Sequence, residues 1–164
     1  AVLLPERDFP ESQRLKYPRL TGIVAAPPSL AGSRWMDARA LGGAQIAAAL
    51  VDVWKDFSLD RIVASPTPET SLGNDEYSYD VFTTGGTKIL WGHAPDTRMP
   101  GEVPLADKLI RLKQIKKQNG SLEGPDGPQV IDLSYWHHVR ITPHESRTAA
   151  RPENETTQSR RLLS

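Results

Sequence analysis

The first candidates for proton transfer and metal ligation are four histidines, His93, His137, His138 and His144, in a chain with no cysteine to act as thiolate nucleophile or soft ligand. On a strand, adjacent His137 and His138 point to opposite faces, so they share a metal only if they lie in a turn. A polar turn is the plain reading. Thr84-Gly85-Gly86-Thr87 offers main-chain donors of the kind that cradle a phosphate. It lacks the Lys and the following helix of a phosphate loop, so a hairpin turn fits it better. Asp75, Glu76 and Asp107 read as solvated carboxylates, and Lys113, Lys116 and Lys117 as the wet side of a helix. Asn119-Gly120-Ser121 and Asn154-Glu155-Thr156 fit the short glycosylation pattern, which recurs by chance. No Gly-x-Ser-x-Gly or Ser-x-x-Lys stretch occurs. With no nucleophile, base and oxyanion donors assembled, the expectation is no catalytic residue, no metal, no cofactor and no small-molecule substrate.

The chain that must position these groups has 164 residues, long enough for one domain with a buried core. Its 20 Lys+Arg balance 20 Asp+Glu, and a neutral chain lacks the basic surplus of a nucleic-acid binder. No apolar run approaches the ~18 residues of a membrane span. Absence of cysteine excludes disulfides and fits an extracytoplasmic bacterial domain. The first residues, Ala1-Val2-Leu3-Leu4-Pro5, are apolar from the start and carry no Met, which leads us to expect a preceding segment. Residues 144–164, rich in Thr, Ser, Glu and Arg, read as a flexible tail behind a domain over 1–143.

Between those ends the periods are legible. Residues 1–4 read as a short strand or strand end, followed by a Pro-rich surface segment to Pro28. Ser29 or Ser33 can cap a helix over 34–56, whose Ile46, Leu50, Val53, Trp54 and Phe57 fall on one face. Gly42-Gly43 weakens its first half or lets another backbone come close. Strand-like runs follow at 60–65, 77–83 and 87–92, the last two forming a hairpin on Gly85-Gly86. Pro104 suits the first turn of a second helix over 104–118, with Leu105, Leu109 and Leu112 as its stripe and Asn119-Gly120 as its stop. Finally, 130–142 alternates, with Ile131, Leu133, Tyr135, Val139 and Ile141 on one parity. Helix, three strands, helix and hairpin give an α+β class. The expected architecture is a curved antiparallel sheet with two amphipathic helices covering one face.

Four colinear pieces carry a resemblance. Leu3-Leu4-Pro5 with Tyr17-Pro18-Arg19-Leu20-Thr21-Gly22 is similar to the "LP … LP-x-L-x-G" passage of the FtsQ/DivIB family of bacterial cell-division proteins. The run from Thr84 to His93 resembles that family's Gly-containing hairpin, and Lys108-Leu109-Ile110-Arg111-Leu112 its "K-L-x-R-L/F" helix. Val130-Ile131-Asp132-Leu133-Ser134-Tyr135 resembles its "D-L-R-Y" strand, and Trp136 to Ile141 then overlies the family's turn and last strand. Departures are Ser134 for the usual Arg, His138 for the turn Gly, Pro143 for a Trp, and Gly22 to Pro28 in place of "GP-x-G".

The resemblance implies the C-terminal β domain of such a protein, lacking its first strand, with the membrane span and POTRA domain absent from this chain. It further implies a non-enzymatic scaffold of the division machinery, on the periplasmic face of the bacterial inner membrane. FtsB/FtsL-type partners would add a strand to the last β strand, through Ser134, Tyr135, Val139, Arg140, Ile141 and Thr142. That mode has independent physical sense, because an unpaired edge offers main-chain groups for affinity and alternating side chains for specificity. Tyr135 is then either a hot spot at the rim or a core aromatic, and a Pro at Arg140 is expected to remove one edge donor. One uninterrupted strand over 130–142 is the competing geometry. Two other functions stay open: an envelope adaptor outside cell division, and a small hydrolase using His93 or His137.

Overall fold

The computed structural model describes residues 4–14, 17–66, 77–97, 99–134 and 136–144. Glu6–Asp8 is a 3-10 turn and Glu11–Arg14 a single helical turn, α1. The chain then enters β1 (Arg19–Thr21), crosses through α2 (Ala38–Leu50) to β2 (Leu59–Ala64), and continues through β3 (Tyr79–Thr83) and β4 (Lys88–Gly92). A second crossover helix, α3 (Leu105–Asn119), leads to β5 (Gln129–Asp132) and β6 (Arg140–Pro143). The six strands form one sheet in chain order. Among the described residues, no helix is long and apolar enough to cross a membrane.

The class is α+β, as the periods indicate, but the sheet is mixed rather than antiparallel. β1 runs parallel to β2 and β4 parallel to β5, whereas the other neighbours are antiparallel. The physical reason is the pair of helices. A helix that joins neighbouring strands returns the chain to the end where it started, and the two strands must then run the same way. The first crossover escapes a reading of periodicity because β1 has only three residues, set inside what reads as a Pro-rich surface segment. Leu4 lies in no strand and is exposed, and residues 1–3 of the expected opening strand lie outside the described residues.

Both crossovers step in the same direction across the sheet from strands of the same sense, so the same hand places both helices on one face. One cluster accordingly holds Ile46, Leu50, Trp54 and Phe57 together with Leu112, Ile115, Val81, Ile89 and Ile131. The register lines up a single apolar row through all six strands: Leu20, Ile62, Val81, Ile89, Ile131 and Ile141. Its four inner members are fully buried, while Ile141, on the outermost strand, is 43 % exposed. Parity alone assigns Ile141 to the core. Its burial falls short because an edge residue has a cross-strand neighbour on one side only. The opposite face is half-buried and polar, with Arg61 stacked over the Phe82 ring at 4.3 Å and Lys88 paired to Asp80 at 2.8 Å.

α2 begins four residues later than its apolar pattern suggests. Asp37, rather than Ser29 or Ser33, caps it, accepting from the N–H groups of Arg39 (2.8 Å) and Ala40 (3.2 Å). The helix proper ends at Leu50, and a 3-10 turn (Val51–Val53) carries Trp54 and Phe57 into the core. Gly42 and Gly43 admit side chains, not another backbone. A Cβ on Gly42 would strike the Tyr79 phenol, and one on Gly43 the Leu20 side chain. α3 starts after Pro104, and Gly120 ends it in the left-handed conformation (φ 80°), its N–H donating to the Lys116 carbonyl at 2.7 Å.

Two substitutions test this packing by urea unfolding. Trp54→Ala, at a buried site, is expected to cost about 3–5 kcal/mol. Gly42→Ala is expected to destabilise by about 1–3 kcal/mol, because overpacking against the fixed Tyr79 ring exceeds the gain of ~1 kcal/mol in helix propensity. A stabilised Gly42→Ala variant would show that the α2–β3 approach is looser than described.

Candidate functional site: an open strand edge beside a buried ion cluster

β5 and β6 form a hairpin, which removes the reading of one continuous strand. The connection spans 133–139 and opens with an Asx turn, in which Asp132 Oδ1 accepts from the Ser134 N–H (2.9 Å) and hydroxyl (2.6 Å). His137 and His138 lie in this connection, exposed, in keeping with a polar turn. Tyr135 lies outside the described residues. His144 extends the ladder, its N–H reaching the Pro128 carbonyl at 3.0 Å, so residue 144 belongs with the hairpin and not with a tail. Residues 145–164 lie outside the described residues.

That last bond fixes which groups the edge exposes. Residues 144 and 128 face each other as a hydrogen-bonded pair, and antiparallel pairs alternate between bonded and non-bonded. Thr142/Val130 and Arg140/Asp132 are therefore bonded pairs, and Ile131/Ile141 and Gln129/Pro143 are not. The Leu133 N–H pointing to the Leu90 carbonyl (3.2 Å) agrees, since odd residues of this stretch turn toward β4. On β6, then, Ile141 presents both N–H and C=O outward, and Pro143 presents a carbonyl alone. Position 140 faces inward. The expectation that Pro at Arg140 removes an edge donor is thus corrected: it would break the bond to β5, and the outward donor belongs to Ile141.

The other expected binding residues divide between the faces. Ile141 shares the helix-side face with Ile131, and Val139 packs partly against the core. Arg140 and Thr142 lie on the opposite face, across from Asp132 and Val130. Beside the strand end, a groove of about 340 Å3 is lined by Pro125, Pro128, Gln129, Ile141 and Pro143. β1, the other edge, is three residues long and closes at Gly22 (φ 84°), where a Cβ would run into the Ala64 backbone. Its Arg19 is paired to Asp60. Short, charged edges resist strand addition.

A second constellation was not anticipated. Lys108, on α3, is 2 % exposed; its Nζ donates to the Trp91 carbonyl (2.6 Å) and pairs with Glu102 Oε1. Glu102 Oε2 meets His93 Nδ1 at 2.9 Å, and Oε1 also accepts from the His93 N–H at 3.2 Å. The carboxylate lies so close to Gly92 (φ 88°) that a Cβ there would collide with it. These side chains, with Met99 and Val103, line a cavity of about 130 Å3. Burial alone would raise the Glu102 carboxyl, but hydrogen bonds from His93 and Lys108 outweigh it and hold the group below its usual range. For Lys108, burial wins over Glu102 and draws the ammonium below its ordinary value. Both oxygens of the carboxylate are spent on neighbours, which makes the cluster a clasp across β4, the 93–104 loop and α3. Periodicity hides it, because Lys108 stands beside the apolar stripe of α3 in a run of lysines that reads as solvent-facing.

No protein-family model, curated protein or solved structure matches the chain.

Lys108→Met is expected to cost roughly 3–5 kcal/mol, because it leaves a buried carboxylate short of a partner, and joint replacement with Glu102→Gln should recover much of the loss. Equal cost for single and double variants in urea titrations would refute the coupling. The pH dependence follows with its sign. A depressed carboxyl stabilises the fold above its unfolded value and loses that contribution as pH falls below 4.5 toward the folded value. The stability of Glu102→Gln should therefore fall less steeply across that acid range than that of the parent chain.

Proposed function

We propose that this chain is the β domain of a divergent FtsQ/DivIB-type protein. In this reading it is a non-enzymatic scaffold of the bacterial division machinery on the periplasmic side of the inner membrane. It takes a strand of an FtsB/FtsL-type partner along β6. The observation that carries the reading is the outward-facing main chain of Ile141 on the terminal strand of an open sheet. A partner strand laid there gains the Ile141 donor and acceptor and the Pro143 carbonyl, and it covers an isoleucine that is now 43 % exposed. Further support comes from the hairpin itself, which falls where the resemblance places the family's turn and last strand.

The departures from the family pattern bear on specificity. With Ser134 tied back to Asp132, position 134 offers no cation to a partner. Arg140, exposed at the start of β6, is the basic residue of the edge strand itself. Pro143 withholds a donor, so a partner gains nothing for an acceptor opposite that nitrogen.

The test is a titration of the chain with a synthetic peptide covering the extracytoplasmic segment of the FtsB-type protein of the same organism. Ile141→Pro is expected to weaken binding tenfold or more while leaving the melting curve nearly unchanged. Ile141→Val, which keeps the donor, should bind within about threefold of the parent. Unchanged affinity of a folded Ile141→Pro variant, or no binding by the parent chain, would overturn the proposal.

A further inference from the structure

The four residues of β6 have little packing of their own. Their inward ladder bonds go to β5, and Ile141 on the helix side is 43 % exposed. A four-residue terminal strand paired on one side only frays unless something else holds it. The 133–139 connection is held from two directions. Arg111, one turn beyond Lys108 on α3, donates from Nη1 to the Leu133 carbonyl (3.4 Å) and from Nη2 to the Trp136 carbonyl. Trp136, half-exposed, donates from its indole nitrogen to the Gly101 carbonyl at 2.7 Å. Gly101 directly precedes Glu102, the carboxylate that Lys108 and His93 hold in place. The 93–104 loop has one more tie, from Gln45 on α2 to Asp96 at 2.7 Å. A continuous physical path therefore runs from the buried clasp to the entry of the edge strand.

We propose that Glu102 is a positioning residue for β6: through Gly101 and Trp136 it holds the edge strand extended, in the form a partner strand requires. The ordering of β6 is independent of who binds there; only its consequence for affinity rests on the reading of β6 as a partner edge. Coupling of this kind is reciprocal, so a strand seated on β6 would in turn tighten the 93–104 loop.

Amide hydrogen exchange by mass spectrometry on the whole chain tests the inference without a partner. Trp136→Phe keeps the aromatic bulk and removes the bond to Gly101. It is expected to speed exchange about tenfold over 136–144 and to leave β2, β3 and β4 unchanged. Glu102→Gln is expected to speed both 93–104 and 136–144 by a similar factor. In the double variant, 136–144 should exchange no faster than in either single variant, since both act through one path. Faster exchange confined to 93–104 in Glu102→Gln, additive effects in the double variant, or an unchanged 136–144 in Trp136→Phe would each overturn the inference. Should Glu102→Gln fail to fold, Trp136→Phe alone decides by the same criterion. Affinity for the FtsB-type peptide then separates the two ideas. Loss of protection with a parallel tenfold loss of affinity supports both. Loss of protection with full affinity leaves the clasp standing and removes the binding role of β6.

Discussion

Two crossover helices on one face of an open sheet set the terms for everything else in this molecule. Because each links neighbouring parallel strands, α2 lies over the β1–β2 end of the sheet and α3 over the β4–β5 end. The apolar row from Leu20 to Ile141 is fully buried in its four inner members and thins at the edge strands, which have a neighbour on one side only. Among the described residues, six strands in chain order with no closing pair leave two edges, and the core cannot protect either of them. An open edge is a hazard unless it is short, charged or occupied. β1 meets the first two conditions. β6 is also short, carries Arg140 and is blunted by Pro143, yet its Ile141 turns both main-chain groups outward.

How much of this was legible from the residues depended on the length of each signal. α3 was legible nearly to the residue, because Pro104, a leucine stripe and Asn119-Gly120 agree with one another. The β3–β4 turn was legible because Gly86 occupies a left-handed position (φ 94°) that few other residues accept. β1 was not legible: three residues cannot display a period, and the prolines around them argue for a surface segment. Losing β1 turned α2 from a crossover into a preface, whereas α3 was in view between its two strands, and the parallel β4–β5 pairing that a joining helix permits was overlooked there. Of the site, the hairpin and its face alternation were readable, whereas the direction of each main-chain group was not. Which of Arg140 and Ile141 faces outward depends on a register that the Pro128–His144 and Leu90–Leu133 bonds disclose and the residue types do not.

The ion cluster teaches a different lesson. A lysine amid Lys113, Lys116 and Lys117 on a helix gives no hint that it alone is buried. Burial of Lys108 follows from the 93–104 loop folding back so that Glu102 meets both the end of β4 and the first turn of α3. Such a pair is weak evidence of net stability, since taking both charges from water offsets most of their attraction. Its physical value is specificity of position. A leucine at 108 would pack in several rotamers, but an ammonium bound at once to the Trp91 carbonyl and Glu102 has one place to sit.

That distinction bears on how an edge strand can be both available and safe. Four residues with one outward donor offer a partner few main-chain bonds, so affinity must be drawn from order already present as much as from new contacts. A flexible β6 would lose its extended form in the free chain and would cost the partner the entropy of restoring it. Holding the 133–139 connection at Gly101 and Arg111 moves that cost into folding. On the same proposal, those ties would keep the exposed isoleucine in a fixed frame for a strand of matching register. If β6 takes a partner strand as proposed, preorganisation at the connection, rather than a large apolar patch, is what would let so short an edge bind.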